Sequence, residues 1–196
     1  MSVDRAGVTA PHAVILVEGM SDQAALEALA GRRGQALDAD GISITAMGGA
    51  TNIERFVERF GPHGLDVRLT GLCDAAEEGH FRRALERAGL GSGLSRADME
   101  ALGFFVCIAD LEDELIRALG TDAVERVIEA QGELRSFRVF QRQPAQQGRS
   151  AQRQLRRFMG TRSGRKSLYA RLLVDALDLG RVPRPLDQVL AHAANP

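Results

Sequence analysis

Hydrophobic and polar positions along the 196-residue chain follow two alternating periods. Short apolar runs, typical of buried strands, are each followed by a stretch in which apolar residues recur every three or four positions, as on one face of a helix. The runs predicted as strands are Val14–Val17, Ile42–Met47, Val67–Cys73 and Phe104–Ile108. This order predicts an α/β fold: a mostly parallel sheet of about four strands, with helices on both faces and right-handed connections.

Polar residues placed just before the helical stretches predict where the helices begin. Ser21, Thr51 or Asn52, Ser95 and Thr121 are the expected N-caps. Ser95 is followed three positions later by Asp98, which is the spacing of a capping box.

The character of the chain changes after Gly132. Ser136–Phe140 alternates in the manner of a last edge strand, and a basic helix that ends at Met159 follows a polar loop. We therefore divide the chain into a core over residues 1–134 and a basic C-terminal helical appendage over residues 135–196. The appendage is expected to pack on the core as part of one globular unit.

The formal net charge of −1 conceals a strong asymmetry. Residues 1–134 carry 12 basic and 23 acidic side chains, whereas residues 135–174 carry 11 basic side chains and no acidic one. An acidic body beside a basic segment suits a metal-dependent enzyme that acts on a polyanion. The alternative is an arginine-rich surface that only keeps two helices soluble.

Neither the cysteines nor the apolar runs point to an extracellular or membrane protein. Cys73 and Cys107 lie in strand-like runs and are expected to be reduced core residues. Apolar runs such as Ala13–Val17 are too short to span a membrane, and the first residues lack a signal-peptide pattern. We expect a cytoplasmic protein without membrane association.

Acidic residues follow three of the predicted strands. Glu18, Asp74 and Asp110 come at or just after strand ends, and Asp22 lies in the first turn of the next helix. Because the carboxyl ends of parallel strands meet at one edge, these acids and the Asp110–Glu114 cluster are expected to lie close together. A divalent cation would relieve their repulsion. Individually, Asp74 and Asp110 could instead be helix N-caps.

Val17-Glu18-Gly19 followed by Asp22, together with Leu72-Cys73-Asp74, resembles the Toprim domain of topoisomerases, primases and related nucleases. The surrounding detail is closest to the OLD (overcoming lysogenisation defect) nucleases, and the similarity extends from about Val14 to about Leu190. The further matching pieces are Met47-Gly48-Gly49-Ala50-Thr51-Asn52, Asp110-Leu111-Glu112-Asp113-Glu114-Leu115 and Gly164-Arg165-Lys166. The resemblance implies the Toprim-like, Rossmann-like fold.

The same resemblance implies a nuclease that uses two Mg²⁺ or Mn²⁺ ions. The metal ligands would be Glu18 and Asp22, which could also assist proton transfer, together with Asp74 and Glu112. Glu18 would also be a catalytic residue. The chain departs from the family at Ala76, where an Asp-x-Asp motif reads Asp74-Ala75-Ala76. Glu77 or Glu78 is expected to replace the missing ligand, with Glu77 preferred.

Lys166 is the only lysine of the chain. By its match to an OLD motif, it would be a catalytic residue that supports the charge of the transition state. Arginine stays protonated under working conditions, whereas lysine is a compact charge whose pKa can shift. The alternative is a solvated residue in a basic turn.

Two sets of residues are predicted to bind substrate. Gly48, Gly49 and Asn52 could hold a phosphate at a helix N-terminus, although a tight turn explains them equally well. The other set consists of arginines from the basic segment: Arg153, Arg156, Arg157, Arg162 and Arg165.

The glycine-rich stretch Gly160–Ser167 does not have P-loop spacing, and it follows a helix where a P-loop needs a strand. Full-length OLD proteins carry an ATPase in front of the Toprim half. We therefore expect a Toprim chain without its own ATPase half, possible assembly with an ATPase partner in trans, and a possible homodimer.

The leading hypothesis is a metal-dependent DNA endonuclease or nickase. One alternative is a catalytically weakened Toprim module that binds nucleic acid or a partner ATPase, since Ala76 has lost a carboxylate. Another is a Toprim ribonuclease. RNA is less expected, because the sequence offers few exposed aromatic candidates for base stacking, with Tyr169 and Phe158 as candidates in the basic segment.

Overall fold

The computed structural model describes residues 11–162 and 164–195. Its sheet has four parallel strands in the order β2-β1-β3-β4. The strands are β1 (Ala13–Val17), β2 (Ile42–Ala46), β3 (Arg68–Cys73) and β4 (Phe104–Val106). The four predicted strands and the α/β fold class are therefore confirmed.

Helices connect the strands and make up the C-terminal part of the described chain. They are α1 (Met20–Arg32), α2 (Ile53–Phe60), α3 (Glu78–Arg87), α4 (Arg96–Ala101), α5 (Leu111–Leu119), α6 (Thr121–Ala130), α7 (Leu134–Gln141), α8 (Ala151–Met159), α9 (Arg165–Ala176) and α10 (Arg184–Ala194). Short 3₁₀ turns occur at Ala50–Asn52, Pro144–Gln146 and Leu179–Arg181. None of these helices is long and apolar enough to cross a membrane.

Strand β1 lies at the centre of the hydrophobic core and is buried on both faces. Val14 and Leu16 pack with α2 and α3 on one face, and Ala13, Ile15 and Val17 pack with α1, α5, α9 and α10 on the other. All five side chains are fully buried, which explains the uninterrupted apolar sequence.

The C-terminal helices share this core. Phe137, Phe158, Leu173 and Val189 all belong to the same cluster of buried residues as strand β1. Helix α9 also packs along α1, where Arg32 Nη1 donates 2.6 Å hydrogen bonds to two carbonyl oxygens near the end of α9. Residue 134 therefore marks a change in charge, whereas the hydrophobic core is continuous across it.

The predicted edge strand Ser136–Phe140 is wrong, because these residues lie within helix α7. Phe137 and Phe140 are buried and three positions apart, as on one helical face, while Val139 is 57% exposed. The rings of Phe137 and Phe158 are 5.1 Å apart in an edge-to-face arrangement. The alternation of apolar and polar residues was too short to distinguish the two periods.

Two of the predicted N-caps are also wrong. Helix α1 begins at Met20 and α6 begins at Thr121, so Ser21 and Thr121 lie inside helices that are preceded by Gly19 and Gly120. The Ser95 prediction is confirmed, since its hydroxyl and the Asp98 carboxylate form a capping box. The cysteines, Cys73 and Cys107, are buried and free, as predicted.

Candidate metal centre

Glu18 follows strand β1 directly and is connected to both neighbouring strand ends. Its Oε1 accepts a 3.0 Å hydrogen bond from the N–H of Asp74, the first residue after β3. Its carbonyl oxygen accepts a 3.0 Å bond from the N–H of Gly49, in the loop after β2. The parallel pairing of β1 with β2 and β3 therefore places Glu18 in the middle of the carboxyl edge.

Asp22 lies in the first turn of α1 and faces the same edge. Its Oδ2 accepts a 2.9 Å hydrogen bond from the N–H of Gly19, the residue at the N-cap. Burial raises the pKa of Asp22 to about 6 against the lowering effect of that hydrogen bond, and the charges of Glu112 and Glu18 raise it further.

Asp74 is the most strongly perturbed of the three acids. Burial raises its pKa to about 8, and the negative charges of Glu18, Asp110, Asp22 and Glu112 contribute to the rise. Burial likewise raises the pKa of Glu18. The acids are thus close enough to oppose each other's ionisation, which is the grouping that the sequence predicted. We refer to Glu18, Asp22 and Asp74 as the strand wall.

The first turn of α5 forms the opposite side of the site. Asp110 is the N-cap of α5 and also pairs with Arg156 of α8, so the capping interpretation holds for this residue. It does not hold for Asp74, because α3 begins only at Glu78, with Glu77 at its N-cap. We refer to Asp110 and Glu112 as the helix wall.

Glu112 is buried, and its two carboxylate oxygens differ in their surroundings. Oε2 accepts a 3.1 Å hydrogen bond from Nζ of Lys166, while Oε1 is buried and has no hydrogen-bond partner among the described residues. Burial alone would lower the pKa of Lys166, but Glu112, Asp110 and Asp22 raise it on balance. The lysine therefore remains charged beside the helix wall.

The position of the missing aspartate distinguishes Glu77 from Glu78. Ala76 is exposed, in the turn before α3. Glu77 lies near enough to Glu18 to raise its pKa, and its Oε2 is 3.6 Å from His80 Nε2. Glu78 forms an ion pair with Arg96 instead. Of the two glutamates, Glu77 is the one that acts on the strand wall.

The loop after β2 has the geometry of a tight turn. Gly48 and Gly49 both have positive φ, at 75° and 126°, and Nδ2 of Asn52 donates a 2.9 Å hydrogen bond to the carbonyl oxygen of Met47. Since the Gly49 N–H already donates a hydrogen bond to the carbonyl oxygen of Glu18, this loop holds the strand wall in position. The contacts of this loop are therefore those of a tight turn, which was the alternative to a phosphate-binding site.

Arginines from the basic segment line a groove of about 460 Å³ beside the helix wall. Its lining consists of Asp110, Glu112, Lys166, Arg149, Arg153, Arg156 and Arg157, and we call it the arginine groove. Sequence reasoning missed Arg149, which lies in the same acid-free segment as the others.

Two predicted substrate-binding arginines lie outside the arginine groove. The side chain of Arg165 is only 5% exposed and pairs with Glu133 at 2.7 Å, so its placement is that of a buried structural residue. Arg162 is exposed, with Nη1 3.8 Å from Glu133 Oε1. Sequence reasoning also missed Glu133, although it is the last acid before the acid-free segment.

The two walls fit a divalent cation by their chemistry. Within residues 11–162 and 164–195, no three His, Cys, Asp or Glu side chains converge into a finished metal site. The strand wall nevertheless supplies carboxylates whose pKa values are raised by burial and by neighbouring negative charges. Glu112 adds a buried carboxylate oxygen that has no hydrogen-bond partner among the described residues. Oxygen ligands of this kind are those that Mg²⁺ and Mn²⁺ take.

Acids follow strands β1 and β3 of a parallel sheet, and the buried Glu112 is hydrogen-bonded to Lys166 beside them. This arrangement defines a Toprim-class α/β domain. Residues 12–75 match the family model described as "Overcoming lysogenization defect protein-like, TOPRIM domain". Over these residues the chain is therefore similar to the OLD-like Toprim family. Glu112 and Lys166 lie beyond the residues that the model matches.

Solved structures extend the likeness to nearly the whole chain. The C-terminal region of the Burkholderia pseudomallei OLD protein is 22% identical, with a TM-score of 0.73, over 94% of this chain and 97% of that one. The corresponding region of the Xanthomonas campestris pv. campestris OLD protein is 25% identical, with a TM-score of 0.69, over 94% and 95%. No curated protein matches this chain in sequence.

Proposed function

We propose that the protein hydrolyses phosphodiester bonds in DNA with two Mg²⁺ or Mn²⁺ ions. The strand wall and Glu112 would hold the ions. The observation that carries the proposal is the buried Glu112, which shares one oxygen with Lys166 and has, among the described residues, no partner for the other. Such an arrangement leaves a negative oxygen free for a cation in an otherwise satisfied site.

Bound divalent ions would supply the charge that activates a water molecule and stabilises the leaving oxygen. The residues of the chain prepare the site for this chemistry. Glu18 is fixed by the backbone of Asp74, and Lys166 places a lasting positive charge next to Glu112, where it can stabilise the charge that develops on the phosphate. Glu77 would take over the task of the aspartate that is absent at Ala76.

The arginine groove would bind the substrate. Arg149, Arg153 and Arg157 are exposed and form no ion pair among the described residues, so their guanidinium groups are free to bind phosphates. Their contact with the backbone of a nucleic acid would be insensitive to sequence and would weaken with salt. The groove begins at the helix wall and so leads a bound strand to the carboxylates.

The assay is metal-dependent nicking of supercoiled plasmid by the wild type, Glu112→Gln and Lys166→Met. Each variant is expected to cut at least about 100-fold more slowly, which is the typical cost of removing one stabilising group from a transition state. Glu100→Gln is the matched control, because this glutamate pairs only with the exposed Arg184. Cleavage that survives in Glu112→Gln and Lys166→Met would overturn the site assignment.

A second candidate function is a Toprim module that binds nucleic acid or an ATPase partner without cutting it. The exposed Ala76, where the family has a carboxylate, favours it. DNA binding in a fluorescence anisotropy titration, with no heat of Mn²⁺ binding and no nicking, would support this candidate. Single-stranded RNA tested in parallel would distinguish a Toprim ribonuclease.

A further inference from the structure

Helix α9 begins in an unfavourable way. Its first two residues are Arg165 and Lys166, and cations at a helix N-terminus are repelled by the partial positive charge of the free N–H groups. The residue before them, Gly164, has a left-handed backbone and no side chain that could cap the helix. Something outside the helix must therefore hold this first turn.

Glu133, just before α7, supplies that support. Its Oε1 accepts a 2.7 Å hydrogen bond from Nη2 of Arg165, and its Oε2 accepts a 2.7 Å bond from the hydroxyl of Tyr169. Arg165 and Tyr169 are four positions apart and lie on the same face of α9. One carboxylate thus joins the first and second turns of the helix.

The guanidinium of Arg165 is also held from the end of α8. Its Nη1 donates to Oγ1 of Thr161 at 2.6 Å and to the carbonyl oxygen of Phe158 at 3.2 Å, and its Cζ lies 4.3 Å from the centre of the Phe158 ring. These contacts satisfy a buried cation on several sides, and the negative charge that balances it comes from Glu133.

Lys166 follows Arg165 in the same turn of α9. Its side chain forms a hydrogen bond with Glu112, whereas that of Arg165 bonds to Glu133. Its side chain is half exposed, and its only ion pair among the described residues is with Glu112. We propose that Glu133 is a positioning residue, which fixes the first turn of α9 so that Lys166 meets Glu112. This inference rests on the proposed function of Lys166.

The rest of α9 does not need Glu133. Ala170, Leu173 and Val174 are buried in the main core cluster, where the helix packs along α1 and α5. We therefore expect that loss of the Glu133 charge loosens the first turn and leaves the body of the helix in place.

The test is Glu133→Gln, which keeps the size of the side chain and removes its charge. We expect kcat for plasmid nicking to fall by about 10- to 100-fold, because a small displacement of a catalytic group is that costly, with KM changed less than about twofold. Glu125→Gln is the matched control. It removes the charge that pairs Glu125 of α6 with Arg138 of the neighbouring helix α7. The control is expected to keep the wild-type kcat.

Lys166 also offers a readout that does not depend on cleavage. As the only lysine, it yields a single ¹³C-methyl NMR signal after reductive methylation, apart from that of the N-terminal amine. In Glu133→Gln this signal is expected to sharpen and move toward the position of a free lysine. In Glu125→Gln it is expected to stay unchanged.

The outcomes separate this inference from the proposed function. A wild type that does not cut refutes the proposed function, and the NMR signal still decides the role of Glu133. An unchanged NMR signal with unchanged kcat overturns the inference, and so does a lower melting temperature with an unchanged signal. If Glu133→Gln does not fold, Glu133→Asp keeps the charge on a shorter arm, and a kcat between one-third and one-tenth of the wild-type value, roughly, is expected.

Discussion

Replacing Asp74 by asparagine is expected to stabilise the metal-free protein at alkaline pH and to remove most of its stabilisation by Mg²⁺. Burial, followed by the charges of Glu18 and Asp110, raises the pKa of Asp74 from 3.8 to about 8. Asparagine has nearly the same shape and carries no charge. The substitution therefore removes the repulsion and also a carboxylate that we propose as a metal ligand.

The sign of the pH dependence follows from proton binding. Between pH 3.8 and about 8, the folded protein binds the Asp74 proton more tightly than the unfolded chain does. The free energy of unfolding therefore falls as the pH rises through this range, and the full cost is present above about pH 8. Asp74→Asn abolishes this loss, so its advantage over the wild type grows with pH.

The difference between the two pKa values corresponds to at most about 6 kcal/mol. Part of this is lost because the Asp74 side chain is only partly buried and shares its charge repulsion with Glu18 and Asp110. We expect a gain of about 1–2 kcal/mol at alkaline pH, which corresponds to a rise in melting temperature of about 2–8 °C for a chain of this size.

The assay is thermal unfolding followed by circular dichroism at about pH 6 and about pH 9, in EDTA and then in Mg²⁺. Asp38→Asn, at an exposed acid in the loop before β2, is the control and is expected to behave like the wild type. The reasoning is refuted if Asp74→Asn melts at or below the wild-type temperature at the higher pH in EDTA. It is also refuted if Mg²⁺ stabilises the variant as much as the wild type.

Three further variants test other parts of the molecule. Arg153→Gln with Arg157→Gln is expected to weaken DNA binding and to reduce the slope of log affinity against log salt by about 2, with kcat unchanged, as measured by anisotropy at several salt concentrations. Phe137→Ala is expected to lower the free energy of unfolding by about 3–5 kcal/mol in urea, since this fully buried ring contacts Phe158. Ala76→Asp restores the absent carboxylate and is expected to tighten Mn²⁺ binding in calorimetry, whereas an unchanged affinity would mean that this position lies too far from the ion.

The sequence predicted the strands and the carboxyl edge because their causes are local. Five consecutive apolar residues in β1 require burial on both faces, and this makes the sheet parallel and brings Glu18 next to the residue that follows β3. The junction of Lys166 with Glu112 spans 54 positions, and no spacing rule contains it. The resemblance to OLD nucleases gave each residue a role in the same site but did not predict that they pair.

Arg165 and Lys166 show where sequence reasoning stops. Both are cations at the start of α9, yet one is buried and the other is half exposed. A signal did exist, because Arg165 precedes Tyr169 by four positions and so shares the apolar face of the helix. That signal could be used only if a partner acid was expected nearby, and Glu133 is distant in sequence, in the connection between α6 and α7.

The cations of the basic segment pair with acids of the helix wall and not with those of the strand wall, as far as the described residues show. Arg156 and Lys166 pair with Asp110 and Glu112, so the helix wall is neutralised by cations of the chain itself. No acid of the strand wall forms an ion pair within the described residues, and Asp74, with its pKa of about 8, lies there. A divalent cation therefore gains most at the strand wall, where no arginine or lysine of the described residues forms an ion pair that it would have to replace. For this reason the charge of Asp74 reports on metal binding more directly than any charge of the helix wall.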